Sequence, residues 1–371
     1  MTAGKIGFKD LDAYVAECDR LGGVQTPGAA EFLSDFVLDL GDLQVEGLDP
    51  FSEEYFQVQM RVYESISGRT LDQNTGELFD FEVDAHVKAQ NPYKNLNASY
   101  VAMHVRAVAG AIALANLPAA PRILDMGSGW GMTAELAAFL GASVKAVDIN
   151  PAFVDLINRR ARRSGLPIFA ELSTFDTLTE DPKYDAILFY ESLHHAVKVW
   201  ETLARAKTML TPGGKIIIAG EPITDYHWKH WGVRTDSLSV YCIRKFGWFE
   251  TGWSAAFLKQ AFDRAGLDLC LYPYAGLQNT EVGIATRHDE KPRPDTPDHV
   301  FPYTHLAHLA EAEEIRKTLE LTQRMHHDLS QAHHQLSLAH SKLLAELSRH
   351  PGRLLARNAV RFLRTMRISR T

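Results

Sequence analysis

Cysteine is scarce: three in 371 residues, at Cys18, Cys242 and Cys270. An odd number at such wide separations fits neither a disulfide framework nor metal-ligand spacing, and points to a reducing compartment. Long apolar runs are also missing. The most apolar helical stretch, 107–117, is too short to cross a bilayer, and no secretory leader pattern is visible, so a cytoplasmic location is expected. Basic charge is in deficit over most of the chain. The net charge is −7, and six arginines with no acid lie from Arg353 onward, which leaves −13 on residues 1–350 (−7 − 6). A body of that sign is poorly suited to neutralising a phosphate backbone, so nucleic acid is not an expected partner.

What is present is a strand-and-helix alternation. Residues 1–95 carry scattered apolar positions, including Phe32, Phe36, Leu40 and Leu43 at near-helical spacing, and read as an N-terminal helical region. A helix is expected over 98–117, closed by Pro118 and Pro121. Short apolar strands follow at 122–126, 143–148, 167–170, 184–190 and 215–219, most followed by a turn and a helix, which implies parallel pairing. A helix at 254–265 and strands at 267–272 and 280–286 close the unit. The fold class expected is therefore α/β: a doubly wound, Rossmann-like, seven-stranded sheet spanning 96–290. Four prolines within 291–302 mark a linker, with a long helix at 303–350 and a basic tail at 351–371 beyond it.

The sharpest local feature is ILDMGSGWG, Ile123 to Gly131, in which a strand carrying Asp125 runs into Gly127, Ser128, Gly129 and Gly131 before a helix. Glycines let the backbone turn tightly and approach a ligand without a Cβ clash, while the helix start presents free N–H groups. The spacing is G-x-G-x-G rather than the dinucleotide pattern G-x-G-x-x-G. Four further segments follow in order: VKAVDIN, STFDTL, YDAILFYESLHHA and LTPGGKIIIAGEP. In these five elements the chain resembles the class I S-adenosylmethionine-dependent methyltransferases. The resemblance implies S-adenosylmethionine as cofactor, with Asp148 holding the ribose hydroxyls and Asp125 near the methionine amino group. It also places Phe175 beside the adenine face, with Asp176 accepting from the adenine amino group. Asp176 can equally be a helix cap. Ile149 and Tyr190 complete the expected cofactor contacts.

Methyl transfer from a sulfonium needs an aligned nucleophile and, for a hydroxyl, a base. The end of the fourth strand supplies Glu191, His194 and His195 as catalytic candidates, with His194 favoured as the base; an imidazole there can also simply pack the turn. Between Glu221 and Trp253 the chain lengthens into a segment holding four of its six tryptophans. Trp228, Trp231, Tyr241, Arg244 and Trp248 are expected to bind the acceptor. Aromatic faces bordered by hydrogen-bonding groups suit a sugar ring, although the same aromatics can pack the covering segment itself. Asp225, His227 and His230 are too irregularly spaced to suggest a metal, and none is expected.

From Ile315 to Leu347 a heptad can be written with Ile315, Thr322, Leu329, Leu336 and Leu343 at d and Leu319, His326, His333, His340 and Leu347 at a, which predicts a coiled coil and a homo-oligomer. Beyond it Arg353, Arg357, Arg361, Arg364 and Arg367 share one helical face, a pattern suited to an anionic membrane surface or a protein partner. Head, aromatic segment, coiled coil and tail together resemble bacterial methyltransferases of surface polysaccharides. That likeness leads to an expected O-methylation of a sugar hydroxyl, with a small metabolite such as a quinone precursor as the alternative acceptor. A non-catalytic scaffold is the third reading.

Overall fold

The computed structural model describes residues 3–290, apart from 25, 44, 75, 179–182, 225–228 and 274–280. The linker, the heptad segment and the basic tail lie outside the described residues, as do Asp225, His227 and Trp228.

Before the central sheet the chain forms β1 (Lys5–Gly7), α1 (Leu11–Arg20), α2 (Pro27–Leu33), β2 (Val37–Asp39), α3 (Glu53–Ser67) and α4 (Val83–Lys88). The expected helical region thus also contains a strand pair, β1 parallel to β2. Three residues in each strand leave too short a pattern to stand out in the sequence. The central unit is α5 (Ala98–Leu114), β3 (Arg122–Met126), α6 (Met132–Phe139), β4 (Ser143–Asp148), α7 (Pro151–Ser164), β5 (Ile168–Leu172), β6 (Tyr184–Tyr190), α8 (Val199–Thr208) and β7 (Leu210–Ala219). An insertion follows, β8 (Trp231–Val233), α9 (Ser237–Phe246) and β9 (Thr251–Trp253), and then α10 (Ala255–Arg264), β10 (Leu267–Pro273) and β11 (Glu281–Arg287). Strand β7 starts at Leu210, five residues before the expected start, because Leu210 pairs with Tyr184 across a register shift that absorbs the Thr-Pro-Gly-Gly turn.

The helix ends follow local chemistry. Asn150 caps α7 by accepting from the Ala152 N–H, Pro151 occupies the first helical position, and Gly165 ends the helix in the left-handed region. Ser52 caps α3 through the Tyr55 N–H, and Ser254 caps α10 through the Phe257 N–H.

The sheet order is β10-β11-β7-β6-β3-β4-β5, with β11 antiparallel to both neighbours and the rest parallel. This is the Rossmann-like class I methyltransferase fold. Both faces are buried. Leu124, Met126, Ile187, Phe189, Ile216 and Ile218 pack with Leu203 of α8 and with Phe257 and Phe262 of α10 on one side. Ile123, Ala186, Leu188 and Ile217 pack with Ala107 and Ala111 of α5 and with Ala134 of α6 on the other. Each large apolar side chain buried this way contributes about 1.5–3 kcal/mol. The chain enters the sheet at β3, winds outward to β5, and returns to β6 on the other side of β3. The C-terminal ends of β3 and β6 therefore diverge at the place where open α/β sheets form a crevice.

The N-terminal helices share a core with the insertion. Tyr14, Val62, Tyr63 and Ile66 pack with Val240, Ile243 and Phe249. The segment around α4 is held by Arg160 of α7, whose buried guanidinium pairs with Glu135 at 3.0 Å and donates to the carbonyls of His86 and Ala89 at 2.9 Å each. No helix among the described residues is long and apolar enough to cross a membrane.

Arg160→Ala leaves Glu135 and two carbonyls without their donor, and is expected to cost about 3 kcal/mol in urea unfolding. A loss below about 1 kcal/mol would show that this guanidinium does not hold α4 in place.

Candidate active site

A cleft of about 330 Å³ opens at the C-terminal ends of β3, β4 and β6. Its floor is Gly127, Gly129 and Trp130 after β3, and Val147, Asp148, Ile149 and Asn150 at the end of β4. Ser173, Thr174 and Phe175 follow β5, and Glu191, Ser192 and His195 follow β6. Two further walls come from elsewhere in the chain: Leu71, Gln73, Glu77 and Phe79 before α4, and Trp248 and Phe249 from the insertion.

The glycine loop is tied to the end of β4. The N–H groups of Gly127 and Ser128 both donate to the Val147 carbonyl, at 2.9 and 3.0 Å, and the Gly129 N–H donates to Asp148 Oδ2 at 2.8 Å. Two of the glycines are sterically required. At Gly127, φ is +71° and a Cβ would stand 2.7 Å from Ser192 Cβ; at Gly131, φ is +83° and a Cβ would stand 2.6 Å from Ile157. Ser128 and Gly131 thus shape the loop without facing the cleft, whereas Gly127 and Gly129 line it.

Asp148 points its carboxylate into the cleft wall, with Oδ1 accepting from the Asn150 N–H at 2.8 Å. Burial pushes its pKa up to about 6, against the pull of the Asn150 and Gly129 N–H groups. Each oxygen has accepted one hydrogen bond and keeps a lone pair for a ligand hydroxyl. Asp125 lies beneath the loop, 1% exposed, and neither carboxylate oxygen makes a hydrogen bond of full geometry. Burial raises its pKa to about 7, with repulsion from Asp148, against the pull of the nearby Thr133 hydroxyl and Ala134 N–H. A buried carboxylate so weakly satisfied is a place for a cation or a proton. These features suit S-adenosylmethionine: open space above Gly129, a carboxylate for a diol, and an unsatisfied carboxylate for an ammonium. Gly127, Gly129, Asp148, Ile149 and Phe175 are the residues that would hold it, with Asp125 behind them.

The turn after β6 is organised by Glu221, which is fully buried. Its carboxylate accepts from the N–H groups of Ser192, Leu193 and His194 at 3.0, 2.9 and 3.1 Å, and from His194 Nδ1 at 2.8 Å. Ser192 Oγ donates to the Met126 carbonyl at 2.7 Å and so ties the turn to β3. Glu191 adopts φ +50°, a strained value for a non-glycine residue, and the neighbouring Gly220 is essential to it, since a Cβ there would stand 2.5 Å from Glu191 Cγ. Glu191 reaches the open cleft, yet surrounding protein and repulsion from Glu221 raise its pKa to about 7. Tyr93, Tyr100 and Tyr190 lie on its other side.

The two histidines of the turn separate. His195 faces the cleft, with Nδ1 at 3.1 Å from the Phe249 carbonyl and 3.4 Å from Glu77 Oε1. Burial alone would lower its pKa, but Glu77, with Glu250 and Glu221 behind it, lifts it to about 10. His194, the base favoured from the sequence, is buried between Glu221 and Glu250 and does not line the cleft. The one-turn helix Leu193–His195 turns its ring inward.

Other expected site residues move to structural roles. Asp176 is exposed on a turn held by Thr174 and Thr177 hydroxyls, next to Phe175 but not itself among the residues lining the cleft. Tyr190 is buried, with its hydroxyl 2.5 Å from His104 Nδ1. Trp231 is buried against Tyr55 and Trp200, and its indole donates to the Pro50 carbonyl at 2.8 Å. Tyr241 hydrogen-bonds Asp19 at 2.5 Å, and Arg244 pairs with Asp12 at 2.7 Å. All three are used up in joining the insertion to the N-terminal helices. Trp248 alone of the described acceptor candidates lines the cleft, and its buried Nε1 has no partner. The sequence reading missed Glu77, Phe79 and Trp130 in the cleft, and Glu221 and Glu250 behind it. Glu221 directly follows the fifth strand at the sheet's functional end, a signal that was available.

Residues 124–218 match the Methyltransferase domain family. A ubiquinone biosynthesis O-methyltransferase from Methylocella silvestris is 37% identical over 99 residues, 26% of this chain and 39% of that protein. Another from Xanthomonas axonopodis pv. citri is 30% identical over 104 residues, 28% of this chain and 44% of that one. The chain thus spans about two fifths of the length of the curated relatives it matches. Among solved structures, the CcbJ methyltransferase of Streptomyces caelestis aligns over 58% of this chain and 99% of its own, at 17% identity and a TM-score of 0.41.

The Asp125 pKa, about 7 folded against about 4 unfolded, means that the folded state holds a proton which the unfolded chain has released. Stability without ligand therefore falls as pH rises from about 4 to about 7 on account of this group. Asp125→Asn should flatten the slope of unfolding free energy against pH in that window, by up to about 1.4 kcal/mol per pH unit. Equal slopes in urea titrations of the two proteins would show that Asp125 titrates alike in both states.

Proposed function

We propose that this protein is an S-adenosylmethionine-dependent O-methyltransferase acting on a hydroxyl of a small aromatic metabolite of the quinone-precursor kind. The observation that carries the reading is the glycine loop bonded to Asp148 over the unsatisfied Asp125, beside a carboxylate base at the end of β6. S-adenosylmethionine supplies an electrophilic methyl group on a sulfonium. The protein's own part is to hold the acceptor in line, exclude water and remove the hydroxyl proton.

Glu191 is the residue placed for that proton. It reaches the cleft, and its raised pKa near 7 gives a base matched to neutral pH. His195, held protonated by Glu77, is suited to donating to an acceptor oxygen that gains negative charge rather than to taking its proton. Phe79, Trp130, Phe153, Trp248 and Phe249 make the remaining walls aromatic, which suits a flat apolar acceptor. The ubiquinone O-methyltransferases similar to this chain point the same way. The sugar-directed reading rested on an aromatic covering segment whose Trp231, Tyr241 and Arg244 are engaged in packing. Oligomerisation through the heptads and surface attachment through the arginine face belong to this proposal as accessories to the catalytic unit.

With labelled S-adenosylmethionine, transfer to catechol-type phenols is expected to exceed transfer to sugar nucleotides. Transfer confined to the sugars would overturn the acceptor class. Glu191→Gln should lower kcat about 100-fold or more and abolish the rise of kcat/KM with pH through 7. A rate within twofold of wild type with the pH limb intact would remove Glu191 from the mechanism.

A further inference from the structure

Behind the His195 wall of the cleft, Glu77, Glu221 and Glu250 gather around His194 and His195. Glu221 and Glu250 are buried, Glu77 stands at the cleft edge, and Arg234 Nη1 lies 3.6 Å from Glu250 Oε2 while its Nε bonds Asp236. Within this group His194, His195 and Glu250 each offer one donor atom, and the three atoms lie within 4.8 Å of one another. His194 Nε2 is 3.5 Å from Glu250 Oε2. That is long for a hydrogen bond between these groups, yet close to the roughly 3.4 Å that separates two ligands held about 2.1 Å from a tetrahedral ion.

The outer arrangement is that of a metal-ligating histidine. Glu221, an acceptor to three backbone N–H groups, also accepts from His194 Nδ1 at 2.8 Å. A carboxylate in that position fixes the tautomer, leaves the lone pair on Nε2 and orients the ring. Two imidazoles and one carboxylate form a donor set for a borderline divalent ion such as zinc; magnesium or calcium would require more oxygen ligands.

We propose that His194, His195 and Glu250 bind one divalent transition-metal ion of the zinc type beside the cleft, with Glu221 as a positioning residue. Only the ion's role rests on the methyltransferase reading: His195 belongs to both the cluster and the cleft wall, so an ion there lies one side chain from the acceptor and favours its ionised oxygen. The competitor for this place is the proton that Glu77 favours on His195: ion and proton exclude each other there, so the donor role of His195 toward the acceptor oxygen belongs to the metal-free protein.

Nine of the sixteen histidines lie from His299 onward, so total zinc content is not the readout. The full chain, stripped with chelator, is titrated with Zn²⁺ and with Co²⁺ as a spectroscopic probe. Wild type is expected to bind one equivalent more than His194→Ala or Glu250→Gln, and to show a tetrahedral Co²⁺ band that these variants lose. Glu221→Gln should weaken that equivalent about 10- to 100-fold without removing it. Should the variants not fold, crystals of the wild type grown with Zn²⁺ decide, through an anomalous peak between the three side chains or its absence. Equal stoichiometry in folded variants, or no peak, overturns the site. S-adenosylhomocysteine binding is measured on the same samples. Binding without a metal leaves the methyltransferase reading intact and sinks this one, and a metal without nucleoside binding does the reverse.

Discussion

The end of strand β4 governs the rest of the site. Its last two residues collect three consecutive N–H groups of the glycine loop, through the Val147 carbonyl and the Asp148 carboxylate. A loop fixed in this way cannot collapse onto the sheet, and it keeps the space above Gly129 open. It also seals Asp125 from water while leaving its oxygens without a hydrogen bond of full geometry. A buried carboxylate so weakly satisfied costs stability in the empty protein, and a cation bound against it would offset that cost. The fold tolerates the deficit because the surrounding sheet is buried on both faces.

The second constraint is Glu221, which converts the turn after β6 into a rigid shelf. By accepting from three successive N–H groups it sets the strained conformation of Glu191 on one side and the inward turn of His194 on the other. Glu191 at the cleft and the buried histidine cluster therefore share one anchor. The N-terminal region closes the arrangement by supplying Glu77 and Phe79 to the cleft. Its own core is shared with the insertion, so the two cover the site as one packed unit.

Much of this was legible in the sequence where the cause is local. The five parallel strands and the glycine loop follow from short apolar runs alternating with helices and from turns that only glycine permits, while the closing strand pair and the place of Asp148 were legible only through the family resemblance. The acceptor wall was not legible, for a physical reason. Aromatic composition records that Trp231, Tyr241 and Arg244 need partners but not which surface provides them, and their partners Tyr55, Asp19 and Asp12 lie more than 170 residues earlier. His194 and His195 are adjacent and chemically identical, so only the turn geometry decides which ring meets the cleft. Glu77 and Glu250 gain their meaning solely from long-range packing against that pair.

The methyl transfer proposed for this protein requires that the cleft beside Asp148 receive the nucleoside and amino-acid halves of S-adenosylmethionine. Calorimetry of the full chain with S-adenosylhomocysteine tests it most directly, using Asp148→Ala beside the wild type. One-to-one binding that weakens at least about 100-fold in the variant, roughly the loss of two charge-assisted hydrogen bonds, is the predicted result. Absence of binding by the wild type, or equal affinity in both proteins, would contradict it.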